Sequence, residues 1–178
     1  MLSARQGPDG VPVRRIVSGG QTGVDRAALD TAIARGIPYG GWCPRGGWAE
    51  DLGEPPGLLA RYRELRETPD RRPEQRTTWN VRDSDVTLIL LAAPGIGCSA
   101  GTIFTQEQAR HFCKPALVLE LGRYESLDEA AQWLDDFQAD LALNVAGPRE
   151  SESPGIYEAT RLFLDELISS ADAFAEAR

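Results

Sequence analysis

A short glycine-rich segment near the start of the chain has residue types that could bind a phosphate. It runs from Ser18 to Asp25 and reads SGGQTGVD. Glycine lacks Cβ, so backbone N–H groups can approach an anion closely, and a helix that follows adds further free N–H groups. The segment has neither the G-x-G-x-x-G fingerprint nor the lysine of a Walker A loop. We expect ligand contacts from Ser18, Gly19, Gly20, Gln21, Thr22 and Gly23.

The same segment has a simpler interpretation. Thr22 and Asp25 stand at the spacing of a capping box, in which each side chain satisfies a free backbone N–H group at the start of a helix. The glycines would then only turn the chain. Both interpretations can hold together, and we favour ligand contact.

Two further segments could add anion contacts. The first, residues 95–102, reads GIGCSAGT, and its alternative is a flexible strand-to-helix connection. The second, residues 144–153, contains Arg149, which suits a phosphate or carboxylate but could equally pair with a neighbouring glutamate. The predicted ligand contacts from these two segments are Gly97, Ser99, Gly101, Thr102, Gly147, Arg149 and Ser151.

Acidic side chains are the candidates for catalysis, should the protein be an enzyme. Glu50 and Asp51 lie in a loop where no structural role is evident, so they are the preferred general bases. Asp25 and Glu107 are weaker candidates, because a helix cap and a solvent-facing position explain them.

The cysteines offer a weaker signal. Cys43, in the long segment after the second predicted strand, could contact a ligand or a metal, although a buried, inert cysteine is commoner. Cys98 lies near a predicted helix start, which would favour its thiolate, but small size explains it as well. His111 and Cys113 would point to different faces of a helix, so no metal site is predicted.

Alternating strands and helices must position these residues. The apolar run Val86–Leu91 predicts a central strand buried on both faces. Apolar spacing predicts a helix from Val24 that ends at Gly36, and Ser153-Pro154 predicts the start of a final helix to about Ser170. Other predicted strands are 14–18, 37–40, 116–121 and 141–145, with further helices ending near Cys113 and spanning Leu127–Phe137. The pattern is typical of a three-layer α/β, Rossmann-like domain with a mainly parallel central sheet.

Ligands of such sheets bind beyond the carboxyl ends of the strands, where the winding direction reverses. A flavodoxin-like strand order would put this point between the first strand and Val86–Leu91. We therefore expect the turns Ser18–Asp25 and Gly95–Thr102 to face each other. Residues Gly147–Ser151 would close one side, and the loop Cys43–Asp51 would cover the ligand.

Length and composition limit the class of protein. With 178 residues we expect a flexible tail, 1–12, and a single ligand-binding domain, 13–178. The proline-rich, charged piece 41–85 is expected to be an ordered excursion with short helices. A net charge of −8 argues against nucleic acid as a partner. Three cysteines without a C-x-x-C pair, no secretion signal and no apolar stretch of membrane length predict a cytoplasmic protein.

Several motifs together resemble the family of putative molybdenum carriers. They span residues 15 to 167 and comprise SGGQTGVDRAALD (18–30), GWCP (41–44), AED (49–51), RT (76–77), WNVRDSD (79–85) and NVAGPRES (144–151). The resemblance implies a Rossmann-like fold related to the LOG and DprA proteins. It also implies binding of molybdenum cofactor (molybdopterin) or a nucleotide, and a homo-oligomer.

Two departures from the related patterns bear on function. The residues after Cys43-Pro44 are less basic than expected, which weakens an anion contact from that loop. Gly101-Thr102 matches part of a LOG motif, but four residues separate it from Glu107, so cleavage of a base–ribose bond has no motif support. The favoured hypothesis is a carrier of a phosphorylated pterin or nucleotide-like small molecule. The alternatives are a nucleotide hydrolase or transferase and a nucleotide sensor.

Overall fold

The structure, a computed structural model, describes residues 13–92, 99–137 and 140–175. Strands and helices alternate along most of the chain, as the sequence predicts. The strands are β1 Val13–Val17, β2 Tyr39–Cys43, β3 Leu65–Glu67, β4 Val86–Leu91, β5 Ala116–Glu120 and β6 Leu141–Ala146. The helices are α1 Val24–Arg35, α2 Leu58–Arg61, α3 Pro73–Arg82, α4 Ala100–His111, α5 Ser126–Asp135 and α6 Ile156–Ala175.

The six described strands form one parallel sheet in the order β3-β2-β1-β6-β4-β5. This confirms the predicted α/β, Rossmann-like fold. The predicted flavodoxin-like strand order, in which β1 would lie beside β4, is wrong, because β6 lies between these two strands. Its Asn144 pairs in register with Val17 on one side and with Thr87 on the other. The β6–α6 loop is therefore the direct neighbour of the first glycine turn.

Buried apolar side chains hold the helices on the sheet. Every residue of β4 is buried, as its continuous apolar run predicts, whereas the edge strand β5 is only partly covered. Leu88 and Leu143 pack in the same core cluster as Leu164 of α6. The sheet-facing side of α1 is rich in alanine, including the buried Ala28 and Ala32, which lets this helix approach the sheet closely.

Helix ends follow local signals in part. Gly36 ends α1 in the left-handed conformation, as predicted. The final helix begins at Ile156, later than Ser153-Pro154 suggests, because Gly155 has a φ of 87°, which is not helical. The Glu150 carboxylate accepts hydrogen bonds from the backbone N–H groups of Gly155 and Tyr157 at this helix start. None of the described helices combines the length and apolar character that crossing a bilayer requires.

The excursion between β2 and β4 is more regular than predicted. Besides α2 and α3 it contains β3, which extends the sheet beyond β2. A second apolar cluster lies beneath it, formed by Leu29, Cys43, Ala49, Leu58, Tyr62 and Leu65. Asn80 of α3 accepts a hydrogen bond from the Trp42 backbone N–H (2.7 Å) and donates one to the Trp42 carbonyl (3.0 Å). These contacts fix α3 on β2.

Candidate functional site

Three segments that the sequence singled out meet at one carboxylate. Both the Thr22 hydroxyl, from the first glycine turn, and the Ser151 hydroxyl, from the β6–α6 loop, donate hydrogen bonds to the Glu50 side chain. The Ser151 bond is 2.5 Å long, and the Ser151 backbone N–H adds a third at 3.4 Å. We call Thr22, Glu50 and Ser151 the polar clasp. It joins the three segments at the carboxyl end of β1 and β6.

The polar clasp favours the ionised form of its carboxylate. Partial desolvation acts to raise the pKa of Glu50, but hydrogen bonds from Ser151 and Thr22 and the charge of Arg149 together hold that pKa below its usual value. Glu50 is therefore a carboxylate at neutral pH, and both of its oxygens already accept hydrogen bonds. Its predicted role as a general base remains a prediction.

Removing the Glu50 charge should change how stability depends on pH. A carboxyl pKa that is lower in the folded state contributes stability above the unfolded value of about 4.3, and this contribution disappears as pH falls through the folded pKa. We expect Glu50→Gln to lower the free energy of unfolding by about 1 kcal/mol at pH 7. The difference from wild type should shrink towards pH 3 in urea titrations.

The matched control is Glu64→Gln, which removes an exposed carboxylate from the same excursion, outside the polar clasp. It should leave stability nearly unchanged at both pH values. If Glu50→Gln and Glu64→Gln behave alike, the polar clasp contributes no electrostatic stability.

Gln21 aligns the loop that carries the clasp. Its side-chain oxygen accepts hydrogen bonds from the backbone N–H groups of Thr22 (3.1 Å) and Glu50 (2.9 Å). The Gln21 side chain is buried, so these bonds are partly shielded from water. The predicted contact residue Gln21 thus connects the first turn to the covering loop.

Gly23 brings the first turn against the β6–α6 loop. Its φ is 73° and ψ is −131°, and a Cβ built there would stand 2.4 Å from the Pro148 carbonyl oxygen. Gly147 is similarly close to its neighbours, since its Cβ would stand 2.4 Å from the Leu90 carbonyl oxygen. Only glycine fits at either position without backbone movement, which explains why both loops contain one.

The start of the first turn is buried under its own contacts. The Ser18 hydroxyl donates to the Val145 carbonyl at 2.9 Å, and Gly19 lies directly against the Asp25–Arg76 ion pair. In that pair, burial raises the pKa of Asp25, while the neighbouring Arg76 guanidinium opposes the shift. The alternative prediction of a capping box is wrong, because no side chain caps the start of α1. Asp25 instead accepts a hydrogen bond from Arg76, and the Thr22 hydroxyl donates to Glu50.

Asp51, the second catalytic candidate, forms an ion pair with Arg26. Two hydrogen bonds of 2.9 and 2.8 Å join the buried guanidinium to the Asp51 carboxylate, and Arg26 also donates to the Gly20 carbonyl. The hydrogen bonds from Arg26, its charge and that of Arg61 lower the pKa of Asp51. This arrangement attaches the covering loop to α1. A catalytic role for Asp51 remains a prediction.

Cys43 faces the second apolar cluster. It is fully buried at the end of β2, and its thiol lies 3.5 Å from the Arg66 carbonyl oxygen. Burial, followed by the charge of Glu67, raises the pKa of the Cys43 thiol to about 11. The structure therefore gives this cysteine a packing role and offers no support for its predicted ligand contact.

The second predicted turn is described only from residue 99 onward. Ser99 caps α4, where its hydroxyl oxygen accepts a hydrogen bond from the Thr102 backbone N–H at 3.3 Å. Gly101 is exposed in the first turn of that helix. Gly97 and Cys98 lie outside the described residues.

A cleft of about 580 Å³ opens beside the polar clasp. Its walls come from the covering loop, the segment that leads into α3, and the β6–α6 loop. The Arg149 guanidinium lies over the Trp48 ring at 6.0 Å from its centre, which is a cation–π contact. The lining residues are Arg45, Gly46, Trp48, Gly53, Glu54, Pro55, Arg71, Arg72, Pro73 and Arg149. This volume suits a small organic ligand.

Of the predicted contact residues, Arg149 lines this cleft, and Thr22 and Ser151 form the adjacent clasp with the predicted catalytic residue Glu50. Sequence reasoning missed Trp48 and the arginines 45, 71 and 72. One signal was available: Pro73 follows Arg71-Arg72, and proline is favoured at the first position of a helix, where it would put both arginines at the helix start. The distance in sequence between residues 48, 72 and 149 hid their convergence.

Two comparisons with known proteins identify the family and the fold. Residues 16–168 match the model of the circularly permutated YpsA SLOG family. The structure is similar to the 1.45 Å crystal structure of a putative molybdenum carrier protein from Syntrophus aciditrophicus SB, with a TM-score of 0.79 and 38% sequence identity. That similarity covers 89% of this chain and 96% of the other. No curated protein matches.

Proposed function

Because this chain belongs to the circularly permutated YpsA SLOG family, we propose that it binds a phosphorylated pterin or nucleotide-like small molecule in the cleft beside the polar clasp. In this proposal the protein carries the ligand rather than converting it. The molybdenum cofactor is the leading candidate, since the similar protein from Syntrophus aciditrophicus SB is named for molybdenum carriage.

The observation that carries the proposal is the pairing of Trp48 and Arg149 in a cleft with three further arginines. An indole ring offers a flat face on which a pterin or purine can stack. Guanidinium groups donate paired hydrogen bonds to phosphate oxygens. An aromatic face and cationic side chains in one cleft match a ligand that has both a heterocycle and a phosphate.

The residues present fit the molybdenum cofactor at these two parts. Trp48 would stack on the pterin and the arginines would hold the terminal phosphate. The cofactor would bring its metal as cargo, while the protein would position the ligand and shield it from water. The buried Cys43 thiol has no part in this arrangement.

Carriage is favoured over hydrolysis by the state of the two candidate bases. The Asp51 carboxylate is paired with Arg26 through two hydrogen bonds, and both oxygens of Glu50 accept hydrogen bonds within the clasp. These contacts hold the pKa of both carboxyls below the usual value, and a general base that works near neutral pH needs a pKa closer to that pH. Loop attachment accounts for both side chains without chemistry.

Native mass spectrometry of protein purified without added ligand is the direct test. We expect a bound mass, released on denaturation, that has the fluorescence of a pterin or the absorbance of a nucleotide. The same spectra count subunits, which tests the expected homo-oligomer. A ligand-free protein that no pterin or nucleotide phosphate stabilises in thermal melts would contradict the proposal.

Turnover separates carriage from chemistry. Incubation of the protein with the stabilising compound should return that compound unchanged. If the compound is hydrolysed and Glu50→Gln stops the reaction without preventing binding, the protein is a nucleotide hydrolase and Glu50 is its base.

A further inference from the structure

The cationic part of the cleft is larger than one phosphate requires, and from it we infer that the ligand carries a diphosphate or longer phosphate chain. This inference rests on the proposed function and narrows it, because molybdopterin carries one phosphate: the ligand would be a dinucleotide form of the pterin cofactor or a nucleotide with at least two phosphates. It assigns the Trp48 end to the heterocycle and a wall formed by Arg45, Arg71 and Arg72, here called the arginine wall, to the phosphates.

The arginine wall is held together by the backbone. The Arg45 N–H donates to the Asp70 carbonyl at 3.0 Å, which fixes the start of the covering loop beside the segment that enters α3. The Gly46 N–H donates to the Glu67 carboxylate at 2.6 Å, one residue further along. Arg45 and Arg71 therefore line the cleft from two different segments whose backbones are held side by side.

Few carboxylates offset these charges. Arg72 pairs with Asp70 at 2.6 Å, whereas Arg45, Arg71 and Arg149 form no ion pair with any residue that the structure describes. Glu54 is the one acidic residue among those lining the cleft. Three guanidinium groups without an ion pair thus line one cleft, although the chain as a whole has a net charge of −8. Their mutual repulsion would be relieved by an anion of more than one charge.

Arg149 is the cleft arginine that contacts Trp48. The Arg149 guanidinium already lies over the indole ring, where it can contact a heterocycle stacked on Trp48 or the phosphate nearest to that heterocycle. Arg45 and Arg71 remain for the next phosphate. A monophosphate would leave these two guanidinium groups without an anion.

Affinity for a phosphate series tests the inference. Isothermal titration of the full chain with AMP, ADP and ATP, and with GMP, GDP and GTP, compares ligands that differ only in phosphate number. We expect each diphosphate to bind at least about tenfold more tightly than its monophosphate, the factor that one additional charge-assisted hydrogen bond provides. Raising the salt concentration should narrow this gap, because screening weakens exposed charge pairs.

A double variant assigns the effect to the arginine wall. Arg45→Ala/Arg71→Ala should reduce the difference between diphosphate and monophosphate affinity to less than about threefold, because the diphosphate loses more charge-assisted hydrogen bonds than the monophosphate does. The control is Arg63→Ala, which removes an exposed arginine of the same excursion that does not line the cleft. It should leave the whole series unchanged.

The outcomes separate the inference from the proposed function. Equal affinity for mono- and diphosphates, with binding that Trp48→Ala weakens, would overturn the inference and leave the proposed function standing. The inference would also be overturned if the Arg45→Ala/Arg71→Ala variant still bound diphosphates about tenfold more tightly than monophosphates. If no member of the series and no pterin phosphate binds, both fail.

Discussion

Gly23→Ala should lower the free energy of unfolding by about 3 kcal/mol. A side chain at positive φ costs about 1–2 kcal/mol, and the new Cβ, 2.4 Å from the Pro148 carbonyl oxygen, adds about 1–3 kcal/mol because backbone on both sides must move. The melting temperature should fall by about 10 °C. Urea titration and thermal melts measure both changes.

Gly36→Ala is the matched control. Gly36 has a similar φ of 67°, but a Cβ there meets nothing within 4 Å. Gly36→Ala should lower the free energy of unfolding by only about 1 kcal/mol, the cost of a side chain in the left-handed conformation. Equal losses for the two variants would mean that the close approach of the first turn to the β6–α6 loop does not constrain Gly23.

Trp48→Ala should weaken ligand binding about tenfold to a hundredfold. Stacking of a nucleobase on an aromatic side chain contributes about 1–3 kcal/mol, and the loss of the indole also releases Arg149 from its contact. Titration calorimetry with the pterin or nucleotide phosphate that best stabilises the wild type measures the change. Trp48 is only half-buried, so the variant should still fold.

Trp48→Phe provides the companion variant, because it keeps an aromatic face at the same position. Binding should recover to within a few-fold of wild type. Thermal melts without ligand show whether either variant has lost structure. If Trp48→Ala binds as well as wild type, the heterocycle stacks elsewhere and the cleft is not its site.

Strand and helix types were predictable wherever burial dominates the pattern. The run Val86–Leu91 is apolar at nearly every position because both faces of β4 are covered, and Gly36 ends α1 because a positive φ favours glycine. Strand order was not predictable from such patterns. Apolar content makes β6 a buried strand, but it does not specify that Asn144 pairs with both Val17 and Thr87.

The candidate site was predictable only in part, for a similar reason. Local spacing identified Thr22 and Ser151 as polar residues in turns, and the structure joins both to Glu50. Local spacing also suggested a cap for Thr22, yet the tertiary contact with Glu50 takes its hydroxyl. Trp48 and Arg71 lie in a charged, proline-rich segment without periodicity, so their shared cleft could be found only from the fold.

The position of β6 has a consequence for synthesis of the chain. On the ribosome, β1–β3 and β4–β5 emerge long before residues 141–146, so until then β1 and β4 each present an unpaired edge. Only the last strand unites the two halves of the sheet, and the same segment delivers Ser151 to the polar clasp and Arg149 to the cleft. A nascent or truncated chain that lacks β6 would therefore have neither a continuous sheet nor a complete cleft, so ligand binding would report that β6 and the loop after it have been synthesised.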